Sequence, residues 1–210
     1  MYGTEIYKMF QEYTEIPVQK SGWIEVVTGS MFSGKTEELI RRIKRAQIAK
    51  LKVQVFKPEI DNRYSKNEIV SHSNYSVKCQ AVNKSSQLYD LALGYQVIGI
   101  DEAQFFDADI IEVCNSLANN GTRVIVAGLD MDFSGKPFGP MPQLMAIAEF
   151  VTKVHAICVE TGELANFSHR LDSDDDTIFV GGQAAYEPVS RSVFKEIQKK
   201  KSNEPSSEKH

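Results

Sequence analysis

Trp23-Ile24-Glu25-Val26-Val27-Thr28 runs without a break into Gly29-Ser30-Met31-Phe32-Ser33-Gly34-Lys35-Thr36. The first six residues are apolar and β-branched enough for a buried strand. The next eight satisfy G-x-x-x-x-G-K-[ST] over its full length. Beyond them, Leu39, Ile40, Ile43, Ala46 and Ile48 recur at helical spacing on one side. Arg41, Arg42, Lys44 and Arg45 are expected on the wet side of that helix. Strand, glycine loop, helix is the context in which the pattern wraps phosphates. Gly29 and Gly34 permit backbone angles closed to other residues. The N–H groups of Ser30, Met31, Phe32 and Ser33 can then turn inward, with a helix N-terminus behind them. Lys35 would reach the terminal phosphates, and Thr36 would offer its hydroxyl to Mg²⁺. The expectation is a nucleoside-triphosphate site.

Working outward, Val97-Ile98-Gly99-Ile100 is a short apolar run that ends in Asp101-Glu102. An acid at the carboxyl end of a buried strand stands where an open α/β sheet places its ligands. Asp101 is expected to hold Mg²⁺, and a neighbouring carboxylate can accept a proton from a water or a substrate hydroxyl. Those two acceptors separate a nucleotide hydrolase from a kinase, and spacing does not choose between them. Strands are also expected at 51–56, 124–128 and 151–157, and a helix at 110–117. Apolar strands alternating with helices imply a parallel sheet covered on both faces.

The 210 residues are 42% hydrophobic and 25% charged, with a net charge of -4. This excludes collagen, low-complexity disorder and a small disulfide scaffold. It argues against a broad basic nucleic-acid surface but allows a local basic pocket. Cys79, Cys114 and Cys158 are odd in number and far apart, so reduced thiols are expected rather than a disulfide framework. No apolar run approaches the roughly 18 residues of a membrane span, and no signal-peptide pattern opens the chain. The expected location is cytoplasmic. The expected organisation is an arm over 1–20, a nucleotide-binding core over 21–157, a small loop-rich unit over 158–195 and a disordered tail over 196–210.

Gly29 to Thr36, read on through Glu37-Glu38-Leu39-Ile40-Arg41-Arg42, resembles the opening of the type II thymidine kinases. Further segments follow in that family's order. They are Phe56-Lys57-Pro58, Asp61-Asn62-Arg63-Tyr64-Ser65, Ser71-His72 and Asp101-Glu102-Ala103-Gln104-Phe105-Phe106. Then come Ala127-Gly128-Leu129-Asp130 with Phe133, Lys136-Pro137-Phe138-Gly139, and Gly181 with Tyr186-Glu187-Pro188-Val189. The likeness spans residues 22 to 195.

The resemblance implies a RecA-like α/β core with a small C-terminal lasso domain. It implies transfer of the ATP γ-phosphate to the 5′-hydroxyl of thymidine. Glu102 would be the general base, with Lys35 and Arg63 completing the catalytic set. Asp101 and Gln104 would join the phosphate loop on the ATP side. Asp61 and Arg63 would lie near the sugar and the transferring phosphate, Phe133 at the base, and Phe105 as an apolar wall of the substrate site. Thr177, Ile178, Phe179, Val180, Gly181 and Tyr186 would close over the nucleoside, with Met31 and Phe138 as further apolar walls. A homotetramer and inhibition by thymidine triphosphate are implied as well. A silent nucleotide-binding relative and an ATP hydrolase are the alternatives.

One part of the family pattern is missing. The family's lasso domain carries a structural zinc on two Cys-x-x-Cys pairs. Here the pairs fall on Cys158-Val159-Glu160-Thr161 and Ser190-Arg191-Ser192-Val193. One thiolate of four remains, and a site rebuilt from Cys158 with His155 and His169 is the lesser alternative. No structural zinc is expected, with Val193 and Phe194 supplying apolar burial in its place.

Overall fold

The structure is a computed structural model that describes residues 21–60, 68–70, 76–171 and 186–203. The arm over 1–20, Asp61, Arg63, the Ser71-His72 pair, Thr177 to Gly181 and residues 204–210 lie outside the described residues.

The opening run forms strand β1 (Trp23–Thr28), and the glycine loop leads into helix α1 (Lys35–Ile48). There follow β2 (Val53–Pro58), a short ribbon of β3 (Glu68–Val70) and β4 (Ser76–Lys78), β5 (Gln80–Val82) and α2 (Ser85–Ala92). Then come β6 (Val97–Ile100), a single 3₁₀ turn at Ala103–Phe105, α3 (Asp109–Asn119), β7 (Arg123–Gly128), α4 (Met141–Ile147) and β8 (Phe150–Lys153). Six strands make one sheet in the order β5-β2-β6-β7-β1-β8. Every pairing in it is parallel, as the continuous apolar strands imply.

Successive side chains on a strand enter opposite layers. Ile24, Val26, Ile98, Ile100, Val124 and Val126 pack with Ile110, Leu117, Met141 and Leu144 of α3 and α4. Val27, Val55, Val97, Ile125 and Ala127 pack with Leu39, Ile40, Ile43 and Ala46 of α1. Burying a single large aliphatic side chain in such a layer contributes about 1.5–3 kcal/mol. Gly99 lets α1 sit close to β6, since a Cβ there would stand 3.0 Å from Ile43 Cδ1.

The small unit contains a hairpin of β9 (Ala156–Ile157) and β10 (Leu164–Ala165). A ribbon of β11 (Phe167–Arg170) and β12 (Tyr186–Val189) follows, and then helix α5 (Arg191–Asn203). Its core is apolar: Ala156, Cys158, Ala165, Phe167, Val189 and Val193, with Phe32 and Met131 reaching in from the larger part. Phe167 and Phe194 stack with ring centroids 4.3 Å apart.

Several details differ from the sequence expectation. Ile48 is 81% exposed, because α1 ends there and the apolar stripe needs only the four residues before it. Arg42 is not on the wet side: it donates to Glu25 and Glu38, each at 2.8 Å, and to Thr152 Oγ1. Burial acts to raise the Glu25 carboxyl. Hydrogen bonds from Arg123 and Trp23 and the charges of Arg123 and Arg42 outweigh it and hold the group below its ordinary value. The strand expected over 151–157 is two strands, because Val154 donates its N–H to Thr28 O at 2.8 Å before the chain turns into the β9–β10 hairpin. The expected tail begins helical, since α5 runs through Asn203 with Val193 buried and Phe194 and Ile197 packed on the same cluster. Cys79, Cys114 and Cys158 are buried thiols outside any disulfide. Among the described residues, no helix is long and apolar enough to cross a membrane.

Candidate active site

The carboxyl ends of β1, β6 and β7 lie along one edge of the sheet and supply the polar residues. Gly29 leaves β1 at φ +144°, where a Cβ would fall 2.0 Å from Val154 O. Phe32 and Gly34 also have positive φ, which coils the loop before α1 begins. Ser33 Oγ and Lys35 Nζ both donate to Ser30 O, at 2.7 and 2.8 Å. The lysine thus lies along the loop it belongs to.

Thr36, at the start of α1, and Asp101, just past the end of β6, meet. Thr36 Oγ1 is 3.2 Å from Asp101 Oδ2. Asp101 is 5% exposed and is held at both ends of its backbone and side chain: its N–H donates to Phe56 O, and its Oδ1 accepts the Glu102 N–H at 3.0 Å. A hydroxyl and a carboxylate are hard oxygen donors. They suit Mg²⁺, which takes one or two protein oxygens and fills its octahedron with phosphate and water.

Glu102 occupies the left-handed region at φ 52°, ψ 41°. Non-glycine residues rarely stay there unless surrounding structure holds them. Two residues on, Gln104 Nε2 donates to Glu102 Oε2 at 2.5 Å, and Gln104 Oε1 accepts the Leu129 N–H at 2.9 Å. Phe105 meets Phe138 edge to face at 5.6 Å between centroids. Phe133 sits in a turn shaped by Asp132, whose Oδ1 accepts from Ser134 N, Ser134 Oγ and Lys136 N.

The small unit joins this edge directly. Ser30 Oγ donates to Ala165 O at 3.0 Å, and the Met31 N–H donates to Ser168 Oγ at 2.9 Å. Two residues along the same strand face, the Arg170 guanidinium lies over the Phe133 ring, 5.6 Å from its centroid. Arg170 also stands opposite Tyr186 in the β11–β12 register. Ser168 and Arg170 therefore link the phosphate loop to Phe133 and Tyr186, two of the residues expected around the nucleoside. Neither carries a sequence signal, because their partners lie far away along the chain. Asp130, the last residue of the 127–130 motif, is buried, and its Oδ2, without hydrogen-bond geometry, is neutralised by Lys153 Nζ at 2.6 Å.

The donor set around Cys158 does not fit zinc. The Thr161 hydroxyl hydrogen-bonds its sulfur, and so do the Ser190, Thr161 and Glu160 backbones. Together they bring the thiol down to about 7 against the opposing effect of burial. Ser190 Oγ is 2.8 Å from Ser192 Oγ, and Val193 is an aliphatic side chain 7% exposed. No group of three or more His, Cys, Asp or Glu side chains converges among the described residues. Cys114, by contrast, is pushed up to about 12 by burial alone.

Comparison with known proteins adds the family. The model of the thymidine kinase family matches residues 22–194. Thymidine kinases of Bacteroides thetaiotaomicron and Bacteroides fragilis are each 54% identical over 186 residues, covering 89% of this chain and 94% of theirs. That of a Rhodothermus species is 54% identical over 173 residues, covering 82% of this chain and 81% of its own. Among solved structures, a genome-packaging NTPase of Sulfolobus turreted icosahedral virus 2 aligns over 65% of this chain and 76% of its own. Its TM-score is 0.45 at 19% identity, too distant a likeness to bear on function. With a family model across nearly the whole core and relatives identical at more than half their positions, this chain belongs to the thymidine kinase family.

Proposed function

We propose that this chain transfers the γ-phosphate of ATP to the 5′-hydroxyl of thymidine, with Glu102 as the base. The observation that carries the mechanism is the meeting of Thr36 and Asp101 at 3.2 Å, with Glu102 next along the chain. The backbone N–H groups from Gly29 to Thr36, together with Lys35, hold the β- and γ-phosphates. Thr36 and Asp101 hold Mg²⁺, which when bound screens the negative charge that grows on the phosphoryl oxygens. Glu102 takes the 5′-hydroxyl proton as O5′ bonds to the γ-phosphorus and the bond to the β,γ-bridging oxygen breaks. ADP leaves with that oxygen. Arg63 neutralises charge on the phosphoryl group in flight, and Asp61 orients the sugar. Phe105, Phe133 and Tyr186 flank the base, while residues 177–181 close over it. The family resemblance supports those last assignments.

Three further readings belong to the same proposal. Thymidine triphosphate inhibits by occupying the nucleoside and phosphate sites together. The working assembly is a cytoplasmic homotetramer with no nucleic-acid or membrane partner. The small unit holds together without zinc, on the apolar cluster of Cys158, Phe167, Val189 and Val193.

The test is transfer from labelled ATP with Mg²⁺, using thymidine, each other deoxynucleoside, or none. Transfer to thymidine alone supports the reading. ATP turnover without nucleoside points to a hydrolase, and ATP binding without turnover to a silent relative. Sedimentation reads the assembly. About one zinc per chain in metal-stripped, refolded protein would overturn the zinc-free reading.

A further inference from the structure

Gln104, which resemblance groups with the ATP-binding residues, has both ends of its amide engaged inside the protein. Its Oε1 accepts the Leu129 N–H, just beyond β7, at 2.9 Å. Only the oxygen of the amide can meet an N–H, so its orientation is set by chemistry. Nε2 must therefore be the end at Glu102 Oε2, 2.5 Å away.

The surroundings are built for this side chain, which is only 3% exposed. A Cβ on Gly128 would lie 2.9 Å from Gln104 Oε1 and 2.6 Å from Met141 Sδ. A Cβ on Gly139 would lie 2.3 Å from Gln104 O. Gly128 thus leaves the space that the glutamine side chain fills, and Gly139 the room for the backbone carbonyl of the same residue. Glu102, meanwhile, is half-buried and stands on left-handed backbone, a conformation kept only where surrounding structure holds it.

We propose that Gln104 is a positioning residue for the base, tying the Glu102 carboxylate to the end of β7 and holding it at one rotation. It acts through Glu102 and not on ATP. The inference rests on the reading of Glu102 as the base. Proton transfer needs its acceptor within hydrogen-bond reach of the substrate hydroxyl, so a carboxylate free to swing loses rate without losing affinity.

The experiment is a double-mutant cycle on full-length protein, read by phosphate transfer from labelled ATP to thymidine. Gln104→Met keeps the length and removes the amide. Gln104→Glu keeps an acceptor for the Leu129 N–H but sets a carboxylate against Glu102. Both should lower kcat by about tenfold or more, with KM for ATP and thymidine changing less than about twofold. In the Glu102→Gln background the same changes should cost less than about a further twofold, because the group they position is gone.

Equal losses in both backgrounds would overturn the inference, and so would a change confined to the KM for ATP. Failure of the underlying reading shows elsewhere: Glu102→Gln alone would turn over near normally. If Gln104→Met does not fold, Gln104→Glu, which preserves the bond to β7, carries the same comparison.

Discussion

Asp101 and Glu102 are neighbours with different partners, and the backbone separates them. Asp101 ends the β6 geometry with its N–H on Phe56 O, while Glu102 turns into the left-handed region at φ 52°. That turn lets two adjacent carboxylates serve two places, one at Thr36 and one at Gln104. Each therefore fails differently when changed. Glu102→Gln should leave ATP binding nearly intact and lower kcat by about a hundredfold or more, the scale of a lost general base, as single-turnover transfer will show. Asp101→Asn should instead raise the Mg²⁺ concentration for half-maximal rate about tenfold or more, read from a Mg²⁺ titration of initial rates. The adjacency of the two acids was plain in the chain. How the fold separates them was not, because it depends on one backbone angle and on partners brought in by other strands.

At the scale of elements, α5 and the β11–β12 ribbon support each other through Phe167, Phe194 and Val193. Phe194→Ala should lower stability by about 2–3 kcal/mol, somewhat below the full cost of emptying a core aromatic site, since Phe194 is only half-buried. Hydrogen exchange should report the loss in β11, β12 and α5 before the parallel sheet. The strand and helix pattern of the core was legible because its period is local. Val26 and Val27 face opposite layers as alternation requires, and Leu39, Ile40, Ile43 and Ala46 make one stripe. The small unit was far less legible. Its strands are two to four residues long, too short to show a period, and they exist because pairing and packing hold them. The same reason hid the break at Val154, since Val151, Val154, Ala156 and Ile157 read along the chain as one strand candidate.

For the whole molecule, acid and metal should act on different parts. Arg41, with Arg42, holds the Glu38 carboxyl down to about 2 from the model-peptide value of 4.5. A folded-state value below the unfolded one gives stability that is complete above about pH 4.5 and fades as pH falls through about 2. Glu38→Gln should flatten that decline in the thermal midpoint, modestly, because Arg41 is exposed and solvent screens the pair. Strong chelation should stop phosphate transfer by removing Mg²⁺ yet leave the thermal midpoint unmoved, as the proposed zinc-free reading of the small unit requires. A fall in the midpoint would show a structural ion. The phosphate loop, the acid pair and five of the six strands of the sheet were present in the order of residues. Each of these is a local pattern whose chemistry follows from neighbours along the chain. Folding alone brought Ser30 to Ala165 and Met31 to Ser168, across separations of 135 and 137 residues, and laid Arg170 over Phe133. Such contacts carry no local signature, because a serine or an arginine acquires its partner only when packing of the apolar layers sets two distant strands side by side.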